Sequence, residues 1–214
     1  MHEILLVDDH PIVRQGLRQL IASHPDFNVC AEADDWGTAI DAAAMHGPRV
    51  IILDISLEKR MALDLVRDLL AVSPRSKVLI LSMHDELIYA ERAIKSGASG
   101  YVMKANATGS VLEAIQAVVN GEIYLSAKMK NFMIRKQLAP ASTTRSTDIP
   151  ELTNREVEVL RLIAQGLGTP EISERMCLSP KTVEVHRGNI RTKLNLAKGD
   201  RLVEAAIRYT RGSG

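Results

Sequence analysis

The stretch Val50-Ile51-Ile52-Leu53-Asp54 is four consecutive β-branched or leucine residues ended by a carboxylate. A short apolar run without alternation is what a strand buried on both faces of a parallel sheet requires. Two runs of the same kind flank it, ILLV at 4–7 and VLIL at 78–81, with FNVCAEA at 27–33 and YVM at 101–103 as weaker strand candidates. Between them apolar residues recur at helical spacing. These sets are Ile12, Leu17, Leu20 and Ile21; Ala39, Ile40, Ala43 and Ala44; Leu63, Leu65, Val66, Leu69 and Leu70; Ile88, Ala90, Ala93 and Ile94; and Val111, Leu112, Ile115, Val118 and Val119. Five βα units in about 120 residues predict an α/β domain with a doubly wound, five-stranded parallel sheet.

In such folds reactive groups gather beyond the carboxyl ends of the strands, near a topological switch point. The polar residues there are Asp8 and Asp9 after the first strand, Asp54 after the third, Ser82 after the fourth and Lys104 after the fifth. Clustered carboxylates repel one another, and a hard divalent cation with oxygen ligands, Mg2+ above all, relieves that repulsion. A carboxylate beside such a cation can attack a phosphoryl group to form an aspartyl phosphate, while cation and ammonium neutralise the equatorial oxygens. Asp54 is the expected nucleophile because it ends the most continuous central run. Taken singly, each residue has a plainer role: a turn or N-cap for Asp9, a helix cap for Ser82, a solvated charge for Lys104. Their joint placement at successive strand ends singles out the rim.

The chain has 214 residues and a formal net charge of +1, but the charge is unevenly spread. Residues 1–125 carry 11 basic and 17 acidic side chains, residues 126–150 carry 5 and 1, and residues 151–214 carry 11 and 8. An acidic first part and a basic end predict two domains with different partners, the second a polyanion. PASTTRSTDIP at 140–150 has little to bury and reads as a linker. Two cysteines, Cys30 and Cys177, exclude a disulfide framework and are too few for a zinc cage. No apolar run nears the roughly 20 residues of a membrane span. Asp8 and Asp9 interrupt any secretory core, so a cytoplasmic protein with no membrane partner is expected.

Residues 151–214 read as four short helices. Thr153 and Glu156 form a capping box ahead of VEVLRLIAQG, whose apolar stripe is Val157, Leu160 and Ile163/Ala164, with Gly166 and Gly168 closing it. Thr169-Pro170 and Ser179-Pro180 start the next two helices, and the three residues between Met176 and Pro180 form a helix-turn-helix connection. Across 180–194 Val183, Ile190 and Leu194 form a core face. The other faces present Lys181, Thr182, Glu184, Val185, Arg187, Gly188, Arg191 and Lys193, a side suited to a DNA major groove. A merely solvated face has the same charge count. His186, beside the core stripe, reads as a packing or hydrogen-bonding residue. The last helix, 201–210, displays Leu202, Val203, Ala206 and Ile207.

ILLVDDHPIVRQGL, VIILD, LILS and GYVMK resemble the receiver domain of bacterial two-component response regulators, over residues 2–123. The resemblance implies a flavodoxin-like fold in which Asp54 accepts a phosphoryl group from a sensor histidine kinase. It further implies that Asp8, Asp9, Asp54 and the backbone carbonyl of Ser56 hold Mg2+. Ser82 and Lys104 would engage the phosphoryl oxygens, and Tyr101 would be the aromatic switch that reorients with the serine. Where the family usually has proline and glycine, four and eight residues after the acceptor, this chain has Glu58 and Ala62; Ala105 replaces a common proline.

Residues 152–194 closely resemble the LuxR-type helix-turn-helix, with Leu152-Thr153, Arg155-Glu156, Val159-Leu160, Gly166, Glu171-Ile172, Thr182-Val183, His186, Ile190 and Lys193-Leu194 in register. The whole is similar to the NarL/FixJ class: a receiver at 1–123, a partly helical linker at 124–150 and an all-α four-helix domain at 151–214. By that analogy Glu184, Val185 and Gly188 face base edges. Lys181, Thr182, Arg187, Arg191 and Lys193 contact phosphates on double-stranded DNA. Val203, Ala206 and Ile207 are implied contacts of a homodimer that forms in the active state and reads paired half-sites.

The implied function is a transcription regulator, not an enzyme, whose phosphorylation at Asp54 controls dimerisation and promoter binding. A phosphatase with an aspartyl phosphate intermediate would need a second Asp two residues on, where this chain has Ser56, and no GxxxxGK[ST] phosphate loop occurs. A regulator whose receiver is a phosphorylation-independent dimerisation or ligand-sensing module is kept open by Glu58 and Ala62.

Overall fold

All five apolar runs are strands: β1 (His2–Val7), β2 (Phe27–Ala33), β3 (Val50–Asp54), β4 (Lys77–Ser82) and β5 (Gly100–Met103). They pair in parallel in the order β2-β1-β3-β4-β5. The two strands that lead into the carboxylates, β1 and β3, are therefore central neighbours. Every residue of β3 is buried, as a run without polar alternation demands. Ile4, Leu6, Val50, Ile52, Leu79 and Leu81 share one core with Leu17, Ile21, Val111, Ile115 and Val118. The alternate strand residues Leu5, Ile51, Leu53, Val78 and Ile80 are buried as well, so the sheet is covered on both faces.

The structure is a computed structural model that describes residues 1–57, 63–138, 152–176, 178–197 and 201–211. The chain divides into two compact units, Met1–Phe132 and Met133–Gly214. Glu58, Ala62, Cys177 and the 140–150 stretch lie outside the described residues.

In the first unit the connecting helices are α1 (Pro11–Ala22), α2 (Trp36–His46), α3 (Leu63–Val72), α4 (Glu86–Lys95) and α5 (Ala107–Val119). Local chemistry starts them where the strands stop. Pro11 opens α1 directly after His10. The Asp35 carboxylate accepts the Thr38 amide at 2.8 Å to cap α2, and Asp85 accepts the Leu87 amide at 2.9 Å to cap α4. Ile12, expected on the apolar face of α1, is 85% exposed. Lying five residues from Leu17, it is about 140° round the helix from the core stripe.

The open edge of β5 is closed by the segment after α5. Tyr124 donates its amide to the Ser99 carbonyl at 3.0 Å and accepts the Tyr101 amide at 2.9 Å. Gly100 makes this approach possible, since a Cβ there would lie 3.0 Å from the Tyr124 backbone oxygen. The chain then enters α6 (Ala127–Leu138), where the Ser126 hydroxyl accepts the Met129 amide at 3.0 Å and donates to Glu86 at 2.7 Å.

The second unit holds α7 (Asn154–Ala164), α8 (Thr169–Met176), α9 (Pro180–Lys193) and α10 (Leu202–Arg211). The capping box is present: Thr153 accepts the Glu156 amide at 3.3 Å and Glu156 accepts the Thr153 amide at 2.7 Å. Gly166, with φ +87°, closes α7. Gly168, expected to do the same, instead donates its amide to Glu171 at 2.6 Å ahead of α8. Val157, Leu160, Ile163, Ile172, Met176, Val183, Ile190 and Leu202 form buried positions of this unit.

Candidate functional site

The sheet order places Asp8 and Asp54 side by side, and both are 2% exposed. Lys104, first residue of the 3-10 turn that follows β5, reaches back over the rim. Its ammonium donates to Asp8 Oδ2 at 2.7 Å and to Asp54 Oδ2 at 2.8 Å. The second Asp54 oxygen accepts the Ser56 amide at 3.1 Å. Three residues that are 50 and 96 positions apart in the chain thus meet at one charged bridge. The solvated role open to Lys104 in the sequence does not apply, since its side chain is 11% exposed. Ser82 does not cap α4 either; it is buried at the end of β4 and accepts the His84 amide at 2.9 Å.

One ammonium faces two carboxylates, and the electrostatics follow from that imbalance. Burial pushes the Asp54 carboxyl above its ordinary range, with the Lys104 ammonium pulling it back and the Asp8 charge adding to the rise. Burial also works against the Lys104 charge, but its hydrogen bonds to Asp54 and Asp8 outweigh that and carry its pKa above the usual lysine value. Tyr101 is buried, and its hydroxyl donates to the His84 carbonyl at 2.9 Å. Burial drives this phenol far above its ordinary range.

One ligand atom from each of Asp8, Asp9, His10 and Asp54 lies within 4.8 Å of all the others. Hard carboxylate oxygens at that spacing, incompletely neutralised by one ammonium, fit a divalent cation such as Mg2+. Three residues of this neighbourhood were not singled out from the sequence. His10 Nδ1 is 2.7 Å from Asp9 Oδ1 and 3.0 Å from Asp8 Oδ1. Arg14 holds the Asp8 backbone carbonyl from α1 and pairs with Glu32 at 3.3 Å. His84 Nε2 lies 2.8 Å from the Ser56 hydroxyl, and its ring packs against Tyr89. The available signal was position alone: His10 and His84 sit one and two residues beyond rim residues.

In the second unit Ser179 caps α9 by accepting the Thr182 amide at 3.1 Å. Val183 and Ile190 are buried and Leu194 partly so, while Lys181, Glu184, Val185 and Gly188 are exposed. Val185 is 54% exposed. Thr182, Arg187 and Arg191 are half-buried. Glu184 accepts from the Thr169 hydroxyl and lies 3.6 Å from Arg187. Lys193 is directed inward, its ammonium 2.7 Å from buried Glu156. Burial works to raise the Glu156 carboxyl, but Lys193 and the Thr153 amide hold it below the usual carboxylate range. On α10, Ala206 is completely buried, so of the three expected dimer contacts only Val203 and Ile207 reach the surface. His186 is half-buried. No helix among the described residues is long and apolar enough to cross a membrane.

Comparison with known proteins assigns both units. Residues 4–116 match the response regulator receiver domain, and residues 150–206 match the bacterial regulatory proteins of the luxR family. The chain is 32% identical over 219 residues to the transcriptional regulatory protein DegU of Brevibacillus brevis, covering 96% of this chain and 93% of that protein. It is 34% identical over 211 residues to the oxygen regulatory protein NreC of Staphylococcus epidermidis, covering 96% and 97%. Among solved structures, RcsB of Salmonella enterica serovar Typhimurium, bound to promoter rprA with phosphomimetic BeF3-, shares the fold. Its TM-score is 0.69 at 22% identity, over 99% of this chain and 98% of that one.

Proposed function

Because the chain belongs to the DNA-binding, LuxR-family two-component response regulators, we propose that Asp54 is its phosphoacceptor and that the modification governs promoter binding. The observation that carries this reading is the Lys104 bridge to Asp8 and Asp54. It places a fixed positive charge where negative charge grows during phosphoryl transfer. The donor is the phosphohistidine of a sensor kinase. An Asp54 carboxylate oxygen attacks phosphorus, the N–P bond breaks, and its electron pair returns to the imidazole. Asp8, Asp9, Asp54 and the Ser56 carbonyl hold Mg2+, which when bound screens the phosphoryl oxygens. Lys104 orients the acceptor, and the Ser56 amide fixes its second oxygen. Ser82 takes a phosphoryl oxygen on leaving the His84 amide, and Tyr101 follows it.

The output is α9 in a DNA major groove, with Glu184, Val185 and Gly188 toward base edges. Lys181, Thr182, Arg187 and Arg191 lie toward phosphates. Lys193, held by Glu156, serves the fold first. The receiver spans 1–123, the linker 124–150 and the DNA-binding domain 151–214. Val203 and Ile207 supply the contact of a cytoplasmic homodimer on paired half-sites. Incubation with Mg2+ and acetyl phosphate, followed by intact-mass measurement, is expected to add one phosphoryl group to the wild type and none to Asp54→Asn. Absence of an adduct on the folded, Mg2+-loaded wild type would reject the reading in favour of a phosphorylation-independent receiver.

A further inference from the structure

We infer that Thr169 is a positioning residue that, with Arg187, holds Glu184 as a fixed hydrogen-bond acceptor, so that α9 selects a cytosine at one base pair of each half-site. The inference rests on α9 entering a DNA major groove and adds to it what is read there and which residue outside the helix enforces the reading.

Glu184 lies in the second turn of α9, in the N-terminal part of the helix that comes closest to base edges in a helix-turn-helix. Its side chain is 61% exposed, yet it is tethered. Thr169, the half-buried first residue of α8, donates its hydroxyl to Glu184 Oε1. Arg187, one turn further along α9, stands with its Nε 3.6 Å from the same oxygen. Both restraints fall on Oε1, so among the described residues Oε2 is left to accept a bond from outside the chain. The start of α8 is secured separately, by the Glu171 carboxylate accepting the Gly168 amide at 2.6 Å.

An ionised carboxylate offers acceptors only. In the major groove guanine presents N7 and O6, thymine presents O4 and a methyl group, and adenine sets an N7 acceptor beside its N6 donor. Cytosine alone presents a donor with no acceptor next to it. A fixed carboxylate is therefore matched by one base and opposed by three. The discrimination holds only if the acceptor cannot swing away from a mismatched edge. A free glutamate has the rotamer freedom to do so, and one bound to Thr169 has already given it up. The Arg187 charge acts alongside, offsetting the repulsion between this carboxylate and nearby phosphates.

The test is selection from a pool of duplexes randomised across the binding site, using the full-length protein with Mg2+ and acetyl phosphate present throughout. Wild type is expected to favour cytosine roughly tenfold over each other base at one position of each half-site. Thr169→Val and Thr169→Ala both remove the hydroxyl, and each is expected to cut that preference about threefold or more while the other positions keep theirs. Thr169→Ser keeps the hydroxyl and should keep the preference. Glu184→Gln adds donors and should move the favoured base at that position toward adenine. Selections by the hydroxyl-free variants that match wild type, or that blur every position alike, would overturn the inference while leaving α9 as the reading helix. A wild type that enriches no sequence, or a Glu184→Gln variant that changes no position, would remove Glu184 from the base edges and the inference with it.

Discussion

Asp54 illustrates how one side chain can be costly to the fold and necessary to the site. Its carboxyl is buried beside Asp8 with a single ammonium between them. Its folded pKa is raised above 3.8, so the stability lost to its ionisation is absent below that value and grows as pH rises through the folded pKa. Asp54→Asn is therefore expected to stabilise the metal-free protein at neutral pH, since Lys104 keeps Asp8 as its partner and one buried charge is removed. Thermal melts across pH should show the gap narrowing toward 3.8; a variant less stable than wild type at pH 7 would contradict the electrostatic account. That Asp54, its acidic neighbours, Ser82 and Lys104 share one rim was legible because strand periodicity locates strand ends, and strand ends locate polar groups. His10, Arg14 and His84 were not, because their importance lies in side-chain direction. No hydrophobic period reports that His84 turns toward Ser56 or that Arg14 folds back under Asp8.

At the scale of elements, α9 shows where pattern suffices and where it falls short. Its core face followed from spacing, and Val183 and Ile190 are buried as expected. Its outward face did not divide itself into fold and function: Lys193 looked like one more surface cation and is paired with buried Glu156 from α7. That pairing joins residues 37 apart in the chain and has no local signature. Gly188 gives the contrary lesson. A Cβ there would meet nothing within 4 Å, so the fold does not require glycine, although glycine inside a helix costs about 0.5–1 kcal/mol relative to alanine. Gly188→Ala is expected to raise the melting temperature of the second unit while weakening DNA binding, as read by fluorescence anisotropy on a target duplex. Unchanged or tighter binding would separate Gly188 from the interface.

For the whole molecule, composition separates an acidic first part from a basic end, and the chain divides into two compact units. The helix α6 continues past residue 132, the last of the first unit, and a helical pattern carries no mark of where one unit ends. The two units also make different demands on salt. With three cationic phosphate contacts per protomer, Lys181, Arg187 and Arg191, the dimer's log K for DNA should fall against log salt with a slope of about −5. Lys181→Ala should make that slope shallower by about 2 for the dimer, whereas a variant at the Asp54 rim should shift affinity without changing the slope. A slope insensitive to Lys181→Ala would remove it from the phosphate contacts.

The same long-range bridge has a consequence for how the chain is made. During synthesis Asp8 and Asp54 emerge well before Lys104, which lies 50 residues beyond the second of them. A nascent chain that has cleared the ribosome only through β4 carries two adjoining acids with no ammonium to join them. In the folded domain that ammonium comes from the turn directly after β5. The charged bridge is therefore completed only when the last strand and its following turn have been made.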